Sequence, residues 1–142
     1  MGMFDSFHIS ATALTSQRLR MDTVSANIAN AQTTRGKLVD GEWQPYTRKM
    51  TVLQEAPFRQ QLSAVRGGVQ VSQIVEDESP YKLVYDPSHP DSDDRGYVQM
   101  PNVDLLKEMV DLMGATRSYE ANIAAMNATK AMLVKAMEIG KG

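Results

Sequence analysis

Two histidines, His8 and His89, and the carboxylates around the second are the residues of this 142-residue chain whose types and spacing could do chemistry. His89 stands between Pro87 and Pro90, with Asp86, Asp91, Asp93 and Asp94 nearby, a mix of imidazole and carboxylate that a metal ion can use. Asp91-Ser92-Asp93-Asp94-Arg95-Gly96 opens like a calcium-binding EF-hand loop, with glycine at the sixth position. Its fifth position is Arg95, however, and its twelfth is Asn102 in place of a bidentate glutamate, so two ligands are missing. The expected structure is a solvated acidic turn. Cysteine is absent, which excludes disulfides and thiolate metal sites.

Covalent catalysis finds equally little to work with. A Ser-His-Asp triad would have to use His8 or His89, yet His8 opens a helical stretch and no Gly-x-Ser-x-Gly motif occurs. Gly67-Gly68 lacks the rest of any phosphate-binding loop, and the adjacent Asp77 and Glu78 read as solvated. The expectation is a protein with no catalytic residue, no cofactor and no metal, and hence not an enzyme. A formal net charge of −2 and the lack of a Lys/Arg run also argue against gripping nucleic acid. No run of 18 apolar residues is present, and no basic segment followed by an apolar one marks a cleaved signal. The opening Met1-Gly2-Met3-Phe4-Asp5-Ser6 fits the loose myristoylation pattern, but the expected role of Asp5 or Ser6 is to cap the helix that follows.

The elements that would position any site fall into three segments. From Ser6 to Ala31 there is neither proline nor glycine, and Phe7, Leu14, Met21 and Ile28 recur every seven residues, with Val24 and Ala31 at an offset of three. That is a narrow apolar seam on a helix of about 39 Å. From Gln32 to Met100 glycine and proline punctuate the chain and the helical period is lost. Strands are expected around Tyr46–Val52, Val69–Val75 and Tyr81–Tyr85, with Ala56–Arg66 as a loop or insertion. From Asn102 to Ile139 a second helix of about 57 Å is expected, with Asn102 as its N-cap and Gly140 as its stop. Leu105, Leu112, Tyr119, Met126 and Leu133 form one seven-residue series on it, and Met109, Thr116, Ile123, Lys130 and Met137 a second, four residues on. A helix of that length cannot be covered by so small a domain and must project or meet another chain. Asn27, Asn30 and Asn122 lie in or beside these seams, either as caps or exposed residues or as hydrogen-bonding devices that fix helix register; for Asn30, at the end of the first helix, capping is favoured.

Pro101-Asn102-Val103-Asp104-Leu105-Leu106-Lys107-Glu108-Met109-Val110-Asp111-Leu112-Met113, continued by Arg117-Ser118-Tyr119-Glu120-Ala121-Asn122 and Met137-Glu138-Ile139-Gly140, resembles the C-terminal signature of flagellar rod and hook axial proteins. Val24-Ser25-Ala26-Asn27-Ile28-Ala29-Asn30-Ala31-Gln32-Thr33-Thr34-Arg35 resembles their N-terminal signature, with Gln32 where Asn or Asp is usual. Tyr85-Asp86-Pro87-Ser88-His89-Pro90-Asp91 with Gly96-Tyr97-Val98 is similar to the proximal-rod branch, the FlgC family. The resemblance implies a subunit that leaves the cell through the flagellar type III export apparatus and polymerises into the rod outside the cytoplasmic membrane, which is periplasmic where an outer membrane is present. The implied partners are the other proximal-rod subunits, the rod-base adaptor protein, the distal-rod proteins and the membrane-ring protein, with no nucleic acid and no small-molecule substrate.

Together these readings predict an α+β subunit. Residues 1–34 form an N-terminal helix and residues 101–142 a C-terminal helix, the two making an antiparallel, coiled-coil-like pair, and residues 35–100 form a β-rich middle domain. The expected assembly interface is Leu14, Met21, Val24, Ile28, Leu105, Met109, Leu112, Tyr119, Ile123, Met126, Leu133 and Met137. The rival reading is a helical adaptor that holds a single partner through its C-terminal helix. Such a protein has no need of two long seams flanking a β domain.

Overall fold

α1 (Met3–Ala29) and α2 (Leu105–Ile139) flank six strands along the chain in a computed structural model that describes residues 3–55 and 68–140. The strands are β1 (Lys37–Val39), β2 (Glu42–Gln44), β3 (Lys49–Glu55), β4 (Val69–Glu76), β5 (Lys82–Tyr85) and β6 (Tyr97–Met100). They pair only two by two, β1 with β2, β3 with β4 and β5 with β6. The expected loop over Ala56–Arg66 falls outside the described residues. No helix among those residues is long and apolar enough to cross a membrane.

Both helices start differently from the sequence expectation. α1 begins at Met3, so Asp5 stands in its first turn, where its charge suits the helix dipole, and neither Asp5 nor Ser6 is the cap. α2 begins at Leu105, and its N-cap is Asp104, whose Oδ1 accepts from the Leu106 N–H at 3.1 Å. Asn102 is drawn away from capping because its side chain is used up elsewhere: Oδ1 accepts from Arg48 N, and Nδ2 donates to the carbonyls of Asp77 and Ser79. At the far end the Gly140 N–H closes on Ala136 O, and α2 stops at Ile139.

The described residues fall into two compact units. One lies within the bounds Met1–Met21, Thr51–Gln73 and Met113–Gly142. In it Ser16 Oγ of α1 donates to Val69 O of β4, and Val69 N donates to Thr12 Oγ1, so two hydroxyls tie the start of the strand to the helix. Ala115 is fully enclosed and Thr129 nearly so, and Thr116 Oγ1 lies 3.6 Å from Met21 Sδ.

The other unit lies within Asp22–Met50 and Ile74–Leu112. Its enclosed residues include Val24, Val98, Val103 and Pro101 together with Asn27, Arg48 and Glu108. The β1–β2 hairpin turns on Asp40-Gly41, with φ of 52° and 88°, and pairs Leu38 with Trp43. Two successive positive φ values suit a two-residue hairpin turn whose twist matches that of its strands, and glycine takes the second at little cost. In the β5–β6 hairpin Val84 faces Val98 and Tyr85 faces Tyr97, whose rings meet edge to face at 5.3 Å. The acidic turn between these strands is tied by its own carboxylates. Asp86 Oδ1 accepts from Ser88 N and Oγ, and Asp93 Oδ1 accepts from the N–H groups of Arg95 and Tyr97. Asp91 binds Thr34 and Arg35, and the Arg35 guanidinium and Thr34 hydroxyl hold its carboxyl below the ordinary range.

Candidate functional site, a buried network joining the two helices

Glu108 stands on the first turn of α2 with no solvent exposure, and Asn27, on the last turn of α1, is equally enclosed. An isolated carboxylate in such a place would be very costly, so its partners decide whether the fold can hold it. Glu108 Oε1 accepts from Arg48 Nε at 2.6 Å, and Oε2 accepts from Asn27 Nδ2 at 2.9 Å. Arg48 precedes β3 and also meets Asp77 at 3.2 Å and Asp111 at 3.6 Å. Burial works against its charge, but the hydrogen bonds to Glu108 and then Asp77 outweigh it and raise its pKa above the ordinary arginine value. Asp77 is held below the ordinary carboxylate range, first by the Ser79 hydroxyl and backbone N–H and then by Arg48.

Asn27 uses its whole side-chain capacity. Nδ2 donates to Lys49 O at 2.8 Å as well as to Glu108, while Oδ1 accepts from Lys49 N at 2.9 Å and from the Tyr46 hydroxyl at 3.0 Å. An amide has two donors and an acceptor oxygen with two lone pairs, so nothing is left over. Burial, and after it the charges of Glu108 and Glu76, raise the Tyr46 pKa and keep its proton in place for this bond. Asn27 is therefore neither a cap nor an exposed residue. Asn30 is a cap: its Nδ2 donates to Ala26 O at the end of α1. Asn122 bonds back to Ser118 O of its own helix.

The helix residues expected at an interface divide by exposure. Val24 is buried, and Leu14, Met21 and Ile28 are half-buried along α1. On α2, Leu112, Tyr119, Met126 and Leu133 are half-buried. The series that shares their covered side is Glu108, Ala115, Asn122 and Thr129, four residues before each of them. Met109, Ile123 and Met137, four residues after Leu105, Tyr119 and Leu133, are 53%, 38% and 62% exposed, and Leu105 is 44% exposed. The chain thus covers a small and polar series together with one apolar series, and leaves the apolar residues Met109, Ile123 and Met137 outside. Sequence reasoning missed Arg48, Glu108, Asp77 and Tyr46 as a site. Glu108 carried a signal, a charge in phase with Ala115, Asn122 and Thr129; Arg48 carried none.

The family model described as flagella basal body rod protein matches residues 7–36, and that described as flagellar basal body rod FlgEFG protein C-terminal matches residues 94–139. The first stretch holds Asn27 and the second Asn102, Glu108 and Asp111, and Arg48 joins them from between. These matches define a protein of the flagellar basal-body rod class. Over 99% of this chain and 100% of the relative, the sequence is 57% identical to the flagellar basal-body rod protein FlgC of Bacillus subtilis. It is 42% identical to that of Borreliella burgdorferi over the whole of both chains. It is also 42% identical to that of Escherichia coli O157:H7, over 99% of this chain and all of the relative. The chain belongs to the FlgC family of flagellar basal-body rod proteins.

Proposed function

We propose that this chain is a structural subunit of the proximal rod of the bacterial flagellar basal body, and that it polymerises through its terminal helices to transmit torque from the membrane ring to the hook. Its role is mechanical and it is not an enzyme. Membership of the FlgC family supports the rod assignment. The observation that carries polymerisation is the outer face of α2, where Leu105, Leu106, Met109, Val110 and Met113 are 44% to 76% exposed within three turns. Apolar residues clustered at such exposure usually mark a surface that a partner covers. Ile123, Val134, Met137 and Ile139 extend the exposure along the helix.

In this reading residues 1–34 and 101–142 build the inner tube as an antiparallel helix pair, and residues 35–100 form the β-rich middle domain. One contact supports the antiparallel sense: Asn27 in the last turn of α1 meets Glu108 in the first turn of α2. Met109, Ile123 and Met137 are then covered by neighbouring subunits, and burial of Leu14, Met21, Val24, Ile28, Leu105, Leu112, Tyr119, Met126 and Leu133 is completed there. The neighbours are the other proximal-rod subunits, the rod-base adaptor, the distal-rod proteins and the membrane-ring protein. The chain reaches them through the type III export apparatus, outside the cytoplasmic membrane and in the periplasm where an outer membrane is present.

Met109→Asp tests the assembly surface. The substitution lies on an exposed position, so the purified chain keeps its helix content and melting temperature. Cells carrying it lose swimming and yield no rods on basal-body isolation, because a charge entering a desolvated interface costs several kcal/mol. Normal rods and normal swimming would remove this face of α2 from the interface.

A further inference from the structure

A groove of about 540 Å³ lies within the unit that carries the buried network, between β2 and the β5–β6 hairpin. One wall is made by four consecutive residues, Glu42 to Pro45. Side chains alternate between the two faces of a strand, so consecutive residues line one groove only when it runs along the strand's edge. β2 pairs with β1 on one side, and among the described residues no strand pairs with its other edge. An unpaired edge offers backbone donors and acceptors to an added strand.

The other wall presents Leu83, Tyr97 and Gln99. Leu83 and Gln99 are cross-strand partners, so the hairpin turns one side-chain face to the groove. The charges on the walls share one sign. Glu42, Asp91 and Asp93 contribute carboxylates, and none of the described lining residues is Lys, Arg or His. Trp43, the sole tryptophan of the chain, is 56% exposed there, and Tyr97 is 43% exposed. Exposed aromatic faces beside carboxylates attract a guanidinium or ammonium group from two directions at once. Asp91 is already paired with the Arg35 guanidinium at 2.6 Å, so Glu42 and Asp93 are the wall carboxylates left for a partner's cations.

We infer that this groove is a docking site for an extended segment of a partner protein bearing arginine or lysine, added along the free edge of β2 with its cations against Trp43 and the carboxylates. Strand addition supplies affinity through the backbone, and charge and aromatic contacts select basic side chains.

Trp43 emission reads the groove in the purified full-length chain, whether or not the helices polymerise. The probe is a five-residue peptide alternating arginine and valine. It produces a saturable change in emission that weakens about tenfold in Glu42→Gln, a substitution at an exposed position that leaves the fold intact. The change also weakens at high salt. The matching glutamate–valine peptide produces none, and methylating the arginine peptide's backbone amides abolishes the response. Three results would each overturn the inference: no saturable change, an equal response to the acidic peptide, or affinity that Glu42→Gln leaves untouched. A methylated peptide that binds as well as the parent would remove strand addition.

Discussion

Arg48 Nε donates to Glu108 Oε1 at 2.6 Å in a place where Glu108 has no exposure and the Arg48 side chain only 9%. Asp77 and Asp111 stand on the same guanidinium, so one cation is shared by three carboxylates. Removing the cation should therefore hurt more than removing one anion. Arg48→Met is expected to cost about 3–5 kcal/mol, the usual penalty for leaving a buried charge unpaired. Glu108→Gln keeps the shape and leaves Arg48 two other carboxylates, so about 1–2 kcal/mol is expected. Chemical denaturation of the purified variants gives the order, and equal costs would mean that Asp77 and Asp111 do not share the charge.

Asn27→Asp is a sharper probe of the same network than Asn27→Ala. Aspartate cannot donate to Lys49 O, and it sets a second carboxylate against Glu108 Oε2, which now receives the amide N–H at 2.9 Å. Alanine only leaves partners unmatched, at about 1–3 kcal/mol per buried group. Aspartate is expected to lower the melting temperature further than alanine at neutral pH, and to recover ground as the pH falls. An Asp variant as stable as wild type would show that the site opens to water.

Both helices were legible because seven-residue spacing survives over Leu14, Met21 and Ile28 and over Leu112, Tyr119, Met126 and Leu133. The strands at Val69–Glu76 and Lys82–Tyr85 were legible from alternation and flanking prolines. The β1–β2 hairpin was missed although Asp40-Gly41 between Val39 and Glu42 is a strong two-residue turn signal. Three-residue strands with exposed Leu38 and Trp43 leave too short a pattern to register as alternation. Of the covered side of α2, the Leu112, Tyr119, Met126 and Leu133 series was legible and the Glu108, Ala115, Asn122 and Thr129 series was not, since Met109 and Ile123 look more like seam residues than Glu108 and Thr129 do. Hydrophobicity ranks the first pair inward. The fold chooses the second because Arg48 and Asn27 satisfy Glu108, and satisfaction of that kind depends on residues far apart in sequence. The N-cap illustrates the same limit: Asn102 and Asp104 are both good caps by type, and the carbonyls of Asp77 and Ser79 decide between them.

Acid should loosen the unit that holds the network. The folded-state pKa values of Asp77, Asp86 and Asp91 lie below the ordinary 3.8. Groups shifted in that direction contribute stability above the ordinary value, and lose it as the pH falls through the lowered one. Tyr46 is shifted upward from 10.0, so its contribution holds below that value and fades as the pH rises through the folded one. Melting temperatures should form a plateau between the two limits, and Asp77→Asn should flatten the acid side. An acid limb unchanged in Asp77→Asn would assign the loss to other carboxylates.

Gly114 tests what lies against α2 where the exposed Met113 stands beside the enclosed Ala115. The glycine is inside a 35-residue helix, and an added Cβ would meet nothing within 4 Å. A glycine in a helix interior costs about 1 kcal/mol relative to alanine, because the unfolded chain has more freedom to lose. Nothing among the described residues requires that cost. Gly114→Ala is therefore expected to stabilise the isolated protein by roughly 0.5–1 kcal/mol, read as a higher denaturant midpoint with an unchanged slope. Gly114→Leu separates the chain from the assembly. Its Cβ meets nothing within 4 Å among the described residues, so the purified variant should fold and melt close to Gly114→Ala. In the proposed assembly it would enter a surface covered by a neighbour, and overfilling a packed interface typically costs about 1–3 kcal/mol at each repeated contact. Motility is expected to fall in Gly114→Leu and to survive in Gly114→Ala. If the leucine variant swims normally, this turn of α2 faces no close neighbour and the covered part of the helix lies elsewhere along its length.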